Sequence, residues 1–459
     1  MNIKVIKPTF LETKYNILDF GASTLKPNNR LYIQKAIDEC SKNGGGMVII
    51  PNGMFLTGPI RLKSNVNLHL ENNAYLKFIK KKEEYPLIFT EYEGNRKIRC
   101  ISPISANNQE NIAITGEGTI DGSGELWRGI KKFKLTEKEW KSFLKKSEFV
   151  YETGETKIWC PSETYYNGMI NGEPKYDDPK ALEKASLCWD MYRPVLVDIV
   201  KCDKVLLEDA TFMNSPAWNL HPNLCTNVTV DNVKVKNKYS AQNSDGIDLE
   251  SCQNCEIKNS TFEVGDDGIC MKSGKNKEAR SVKVPTSNVW IHDCKVYNAH
   301  GGFVIGSEMS RGINNVVVED CTFVGTDVGI RFKSAMGRGG VVEDITIKNI
   351  SMANIINEAM IFTMGYVFTT VEGAKDNDSK YDVEDIPEFK NINLENINCY
   401  ECGTVIDVLG LEQKHIHDIT IKDSRFIKAG ESKFNLCDNI VFENVVINDN
   451  LIEKEVINK

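Results

Sequence analysis

A four-residue pattern recurs along the chain: Asn or Asp, an apolar residue, any residue, an apolar residue. It starts at Asn111, Asn227, Asn254, Asn288, Asn315, Asp344, Asn391, Asp418 and Asn439, and from Asn227 onward successive starts lie 27, 34, 27, 29, 47, 27 and 21 residues apart. Each copy alternates and is rich in β-branched residues, which reads as a short strand. Repetition at about 20 to 30 residues predicts stacked coils of several strands each. The expected fold is therefore all-β, a right-handed parallel β-helix. In such a solenoid, consecutive coils pair about 4.8 Å apart and side chains of equal phase form ladders. A leucine-rich-repeat solenoid competes, but the regular leucine spacing it needs is absent.

The pattern breaks in three places. Asn29 to Asn43 carries Ile33, Ala36, Ile37 and Cys40 at helical spacing before Gly44-Gly45-Gly46, and predicts an amphipathic helix capping the first coil. Trp127 to Arg193 loses the period and is rich in aromatic and charged residues, so a helical and looped excursion over one face is expected at about 127–193. Tyr366 to Glu388 is a second, shorter and Asp-rich excursion, after which the strand pattern resumes to the C-terminus. One extended domain over 1–459 accommodates this, because added coils do not enlarge the core's cross-section.

With 41% hydrophobic and 26% charged residues, the chain is not disorder-dominated. A net charge of −8 disfavours nonspecific nucleic-acid binding. A polyanionic ligand would need a local basic patch, for which Arg331, Lys333 and Arg338 are candidates. Met1 to Phe10 alternates Lys with apolar residues and lacks the apolar run of a secretory signal, and no 18-residue apolar segment exists. The expectation is a cytoplasmic chain with no membrane partner. Fourteen cysteines raise the question of zinc, supported only by Cys252-x-x-Cys255 and Cys399-x-x-Cys402. Phase argues for packing instead. Cys294 and Cys321 lie six residues after their repeat's Asn, and Cys225 and Cys252 two before it, so stacked inward positions are expected. Neither a metal nor an organic cofactor is implied.

Chemistry concentrates between Asn243 and Lys333. Asn243-Ser244-Asp245 is followed by Asp266-Asp267-Gly268, His300-Gly301-Gly302 and Arg331-Phe332-Lys333. Asp245 to Asp266 is 21 residues, about one coil, so the three carboxylates should lie side by side. Crowded like charges raise at least one pKa, and a carboxylic acid beside a carboxylate is what glycosidic hydrolysis needs. Singly, each piece is an ordinary turn, cap or solvated pair. Jointly, in consecutive coils, they suggest acid/base chemistry on a negatively charged substrate.

These motifs, in this order and at coil spacing, resemble glycoside hydrolase family 28, the polygalacturonases. Arg193-Pro194, Asn214 to Pro222, Lys272-Ser273-Gly274 and Gly337-Arg338-Gly339-Gly340 agree with the resemblance, which spans roughly 15–450. It implies Asp266 as general acid, with Asp245 and Asp267 activating the attacking water. It further implies that His300 tunes the acid, that Arg331 and Lys333 bind a galacturonate carboxylate, and that Asn243 orients a neighbouring carboxylate or sugar hydroxyl. Ala299 replaces an expected glycine and Phe332 a smaller aliphatic residue, without removing a functional side chain. The family inverts anomeric configuration, although carboxylates about 5 Å apart on adjacent coils would by the general rule suggest retention.

The resemblance is to bacterial exo-acting members in particular, which implies an acidic pectic oligosaccharide or polysaccharide as substrate. The 127–193 insertion is expected to close the cleft beyond the sugar donated to water. Its Trp140, Trp159, Tyr165, Tyr166 and Trp189 either stack on sugar faces or pack an insertion core. Rhamnogalacturonan and xylogalacturonan hydrolases, Ca²⁺-dependent pectate lyases and noncatalytic carbohydrate-binding solenoids are the alternatives.

Overall fold

Each repeat Asn or Asp is a bend within a coil: all nine motif starts, from Asn111 (φ 49°) to Asn439 (φ 52°), have left-handed backbone. Asn and Asp are the side-chain-bearing residues that adopt this region most readily. Stacked bends bond to one another, with Asn227 Nδ2 donating to Asp203 Oδ1 (2.8 Å) and Asn288 Nδ2 to Asn254 Oδ1 (3.0 Å). A second ladder forms where Asn232 donates to Asp209 (2.8 Å) and Asn396 to Asn349 (2.9 Å). The repeat thus encodes corners as well as strands.

The computed structural model describes residues 3–459 except 155, 176 and 367–380. Among these residues, 31 strands join in one sheet wound into a parallel β-helix. Three strand stacks make up its faces. One contains Thr226–Asp231, Gln253–Lys258, Thr286–His292 and Ile313–Glu319; the second contains Lys234–Lys236, Thr261–Glu263, Lys295–Tyr297 and Thr322–Val324. The third contains Ile247–Glu250, Ile269–Lys272, Gly301–Ile305 and Val328–Lys333, and carries the candidate chemistry. Register there runs Ile247↔Ile269↔Phe303↔Ile330.

Apolar ladders fill the interior. All fourteen cysteines are buried, and Cys225 N–H points at Cys252 Sγ (3.4 Å), as equal phase in the repeat requires. Phe332 faces inward, its ring 4.7 Å from Phe362 and 5.9 Å from Phe389, so its bulk is absorbed by the core. Phe332→Ala is expected to destabilise the protein by about 3–5 kcal/mol through cavity formation, read as a lowered urea midpoint.

Helix Arg30–Lys42 closes the first coil with Ile33, Ala36, Ile37 and Cys40, the four positions its spacing predicts. The C-terminal end departs from the simple repeat. Strand Asn450–Ile457 runs antiparallel on Cys437–Ile447, turned by Asn448 and Asp449, both at positive φ. Such a two-residue turn matches strand twist and replaces the exposed edge of the last coil with a hairpin.

The insertion holds helices Glu137–Leu144, Glu163–Asn171 and Ala181–Ser186 and a small antiparallel sheet of Ile130–Lys131, Val150–Thr153 and Thr156–Trp159. Its aromatics are packed away, some in a core of its own and Trp127 and Trp189 in one shared with Tyr85 and Ile98. Trp140, Trp159 and Tyr165 are buried, Trp159 lies 4.9 Å from Phe143, Tyr166 lies 5.8 Å from Phe149, and Trp189 lies 5.0 Å from Trp127. Of the excursion expected over Tyr366 to Glu388, residues 367–380 lie outside the described residues; Val383–Asp385 form a 3-10 turn.

Candidate active site

Register carries the acids together. Two residues before the paired Ile247, Ile269 and Phe303, Asp245 stands level with Asp267 and Gly301, while Asp266 stands level with His300. Gly246 N–H donates to Asp267 O (2.9 Å) and His300 N–H to Asp266 O (3.0 Å). Gly246 is required at this crossing, since a Cβ would sit 2.4 Å from Gly268 O.

Asp266 is held on three sides. Its Oδ1 lies 3.2 Å from His300 Nδ1 and accepts from Asp267 N–H (3.1 Å), while Oδ2 accepts from Asn243 N–H (3.1 Å). Asn243 therefore orients the carboxylate through its backbone. Its side chain turns away because Asn243 adopts left-handed φ (52°) and Arg193 Nη2 donates to its Oδ1 (2.7 Å). Asp267 receives Lys333 Nζ on Oδ2 (2.7 Å) and Arg331 Nη1 on Oδ1 (3.4 Å). Alternate positions of one strand bring both cations to the same face, and Lys333 is only 8% exposed, so this is no solvated pair. Tyr366 lies beside them, 5.4 Å from Lys333 Nζ to its ring centre. Arg338 is buried and bonded to Asn276, and both it and Lys333 act on Glu308, whose pKa is lowered.

These surroundings divide the carboxylates. Burial pushes Asp245 well above the usual range, and the negative charges of Asp248 and Asp266 add to the shift. Burial also opposes ionisation of Asp266, but the His300 hydrogen bond and the charges of Lys333 and Lys134 outweigh it, and its pKa falls. Asp267 falls as well: burial and Asp266 work against it, Lys333 and Arg331 for it. In the resting site Asp245 is therefore the carboxylate whose surroundings most favour the protonated form. Asp245 Oδ1 is buried and has no hydrogen-bond partner among the described residues. Asp266, Asp267 and His300 offer ligand atoms within 4.8 Å of one another, but Asp267 is already answered by two protein cations.

Beside Asp245 the cleft floor is polar and covered. Lys272 Nζ lies 3.0 Å from Asp248 Oδ1, 3.7 Å from Asp245 Oδ2 and 3.7 Å from the Trp218 ring centre. Burial drives Asp248 up to about 6 despite that lysine. His221 bridges Asp198 (3.0 Å) and Glu250 (2.9 Å); burial opposes its charge, but the two carboxylates raise it to about 10. Hairpin Leu87–Tyr92/Asn95–Cys100 lies over this floor, with Tyr92 stacked on Trp218 at 4.3 Å. Arg99 of the hairpin donates to Glu173 of the insertion (2.5 Å). The hairpin thus covers the floor beside Asp245, and the insertion braces the hairpin.

The insertion does reach the turns beside the acids through a residue the sequence reading missed. Lys134 Nζ donates to Gly265 O (2.7 Å) and Tyr239 O (3.1 Å) and lies 3.1 Å from His300 Nε2. Burial lowers its pKa, countered by Asp266 and Asp327. Lys272 and Trp218 fall in segments that carried the resemblance, yet no spacing rule gave them a task.

The Glycosyl hydrolases family 28 model matches residues 162–445. The chain belongs to that family and is a glycoside hydrolase. A probable polygalacturonase of Vitis vinifera is 28% identical over 91% of this chain and 75% of its own length. An exo-poly-alpha-D-galacturonosidase of Dickeya chrysanthemi is 27% identical over 76% of this chain and 57% of its own length. The crystal structure of a hyperthermoactive exopolygalacturonase from Thermotoga maritima superposes with a TM-score of 0.78 at 29% identity, covering 99% of this chain and 96% of that one. These findings bear out the all-β parallel β-helix and the family reading.

Proposed function

We propose that this glycoside hydrolase removes galacturonic acid from the end of α-linked galacturonan chains, with inversion. The observation that carries the reading is the order along the cleft: covered floor, three carboxylates, then the Arg331–Lys333 clamp. A planar guanidinium beside an ammonium suits a uronate carboxylate. The clamp comes from the second coil beyond Asp266 and Asp267, past the His300 coil, so a uronate held there places the sugar being released on the opposite side, beneath the hairpin. A floor capped by Tyr92 over Trp218 limits how many sugars fit on that side, which supports exo action. The exo-acting relative from Dickeya chrysanthemi and the Thermotoga maritima structure support it too.

In this reading Asp266 protonates the leaving oxygen while Asp245 and Asp267 activate water. Bringing in a uronate adds negative charge and competes with Asp267 for Arg331 and Lys333. Lys333 and Arg331 are among the charges that lower Asp266 and Asp267, so engaging them with uronate raises these two selectively. The proton that Asp245 favours at rest passes to Asp266, and Asp245 is left as a carboxylate able to activate water.

Digestion of long galacturonan is expected to release monomer from the first minutes, by anion-exchange analysis, with no unsaturated-uronate absorbance. Early mixed oligomers would overturn exo action, and a rise in ultraviolet absorbance would replace hydrolysis by elimination. Proton NMR should find the first-formed anomer inverted.

A further inference from the structure

Lys134 brings the insertion to the turns that carry Asp266 and His300, and its donor inventory there is restrictive. A lysine ammonium has three N–H donors and no acceptor. The three groups around Lys134 Nζ are Gly265 O (2.7 Å), Tyr239 O (3.1 Å) and His300 Nε2 (3.1 Å). They come from the turns before the third-face strands of three successive coils, so one ammonium ties all three turns together. If it donates to Nε2, that nitrogen must carry a lone pair, and the ring proton must sit on Nδ1, 3.2 Å from Asp266 Oδ1. The hydrogen bond made by one imidazole nitrogen fixes the state of the other. Asp327 also faces the ring, with Oδ2 3.7 Å from Nε2, and would draw a proton onto that nitrogen. The closer Lys134 opposes it.

We propose that Lys134 is a positioning residue that locks His300 in the Nδ1–H tautomer, so that the ring donates to Asp266 and cannot remove its proton. An imidazole with a free lone pair on Nδ1 would be a base 3.2 Å from the acid, and would compete with the leaving oxygen for its proton. Locked, it has no lone pair facing Asp266. The insertion then does more than brace the hairpin: it supplies the group that sets the state of a residue on the solenoid. The kinetic consequence rests on the role proposed for Asp266; the tautomer itself does not.

Long-range ¹H–¹⁵N spectra of histidine-labelled protein test it at the pH of maximal activity. The His300 ring is assigned by the signal missing in His300→Asn. The wild-type ring is expected as Nδ1–H with bare Nε2, and Lys134→Met as a tautomer mixture or a ring protonated at Nε2, with the other five histidines unmoved. An Nε2–H or doubly protonated wild-type ring would overturn the proposal, and so would a Lys134→Met ring identical to wild type. In kinetics, Lys134→Met should lose about tenfold or more in kcat with KM within about twofold, and Lys134→Arg should recover most of that loss, as expected for a residue orienting a functional histidine. A raised KM at unchanged kcat would mean that Lys134 grips substrate, and would overturn it. Should Asp266→Asn prove active, the assignment of the acid fails while the spectra still decide the tautomer.

Discussion

Asp266→Asn should lower kcat on galacturonan oligosaccharides by about 10²- to 10⁴-fold, the range set by loss of a positioned general acid. The same variant should regain most of its rate on an aryl galacturonide whose nitrophenolate leaves without protonation. Asp245→Asn and Asp267→Asn should stay slow on both substrates, because activating water is needed whatever leaves. The comparison matters because resting electrostatics and family resemblance point to different acids. At rest burial, Asp248 and Asp266 push Asp245 toward the protonated form, whereas His300, Lys333 and Lys134 push Asp266 toward the ionised one. The reconciliation is that three crowded carboxylates share protons as a set, and a uronate that engages Lys333 and Arg331 raises Asp266 relative to Asp245, so the shared proton moves from Asp245 to Asp266. If rescue by the activated substrate appears in Asp245→Asn instead, the resting site already displays the acid and Asp266 is one of the water-activating pair.

The solenoid was legible because few residue types can make its corners. A bend at positive φ at every motif start leaves a polar signature that recurs with the coil, and apolar alternation on either side follows from inward and outward facing. The same periodicity made the constellation legible: Asp245 and Asp267 meet because 22 residues separate them and the register closes on that interval. The capping helix declared its buried stripe through 3.6-residue spacing alone. What stayed hidden lies where the chain leaves the period. Hairpin Leu87–Cys100 is mixed in charge, and its Glu93-Gly94 turn was its one local signal; its partner Trp218 lies far along the sequence. Lys134 is one of 56 basic residues, on an irregular segment, and acquires a task only once three turns from the solenoid surround it. The role of Asn243 was half legible: the residue is at the site, but its φ sends the side chain to Arg193 and leaves the backbone N–H to hold Asp266.

Lys333→Met should cost activity and stability together, and pH should separate the two. Lys333 Nζ sits 2.7 Å from Asp267 Oδ2 in a site from which water is nearly excluded. Removing one member of a buried pair strands the other, typically at about 3–5 kcal/mol; the low end, about 3 kcal/mol, is expected here because Arg331 remains at 3.4 Å. The sign of the pH dependence follows from Asp267, whose folded pKa is depressed below its unfolded value. Such a group contributes stability that is complete above the unfolded pKa, about 3.9, and is lost as pH falls through the folded value. The gap between wild type and Lys333→Met in urea denaturation should therefore be widest near neutrality and shrink below about pH 4, as Asp267 takes up a proton. Adding Asp267→Asn to Lys333→Met should restore most of the stability by removing the stranded charge, without restoring turnover. A gap unchanged between pH 7 and pH 3, or a double variant as unstable as the single one, would show that Lys333 acts through packing alone. It would then serve as a wall of the clamp rather than as the counter-charge that keeps Asp267 ionised beside the scissile bond.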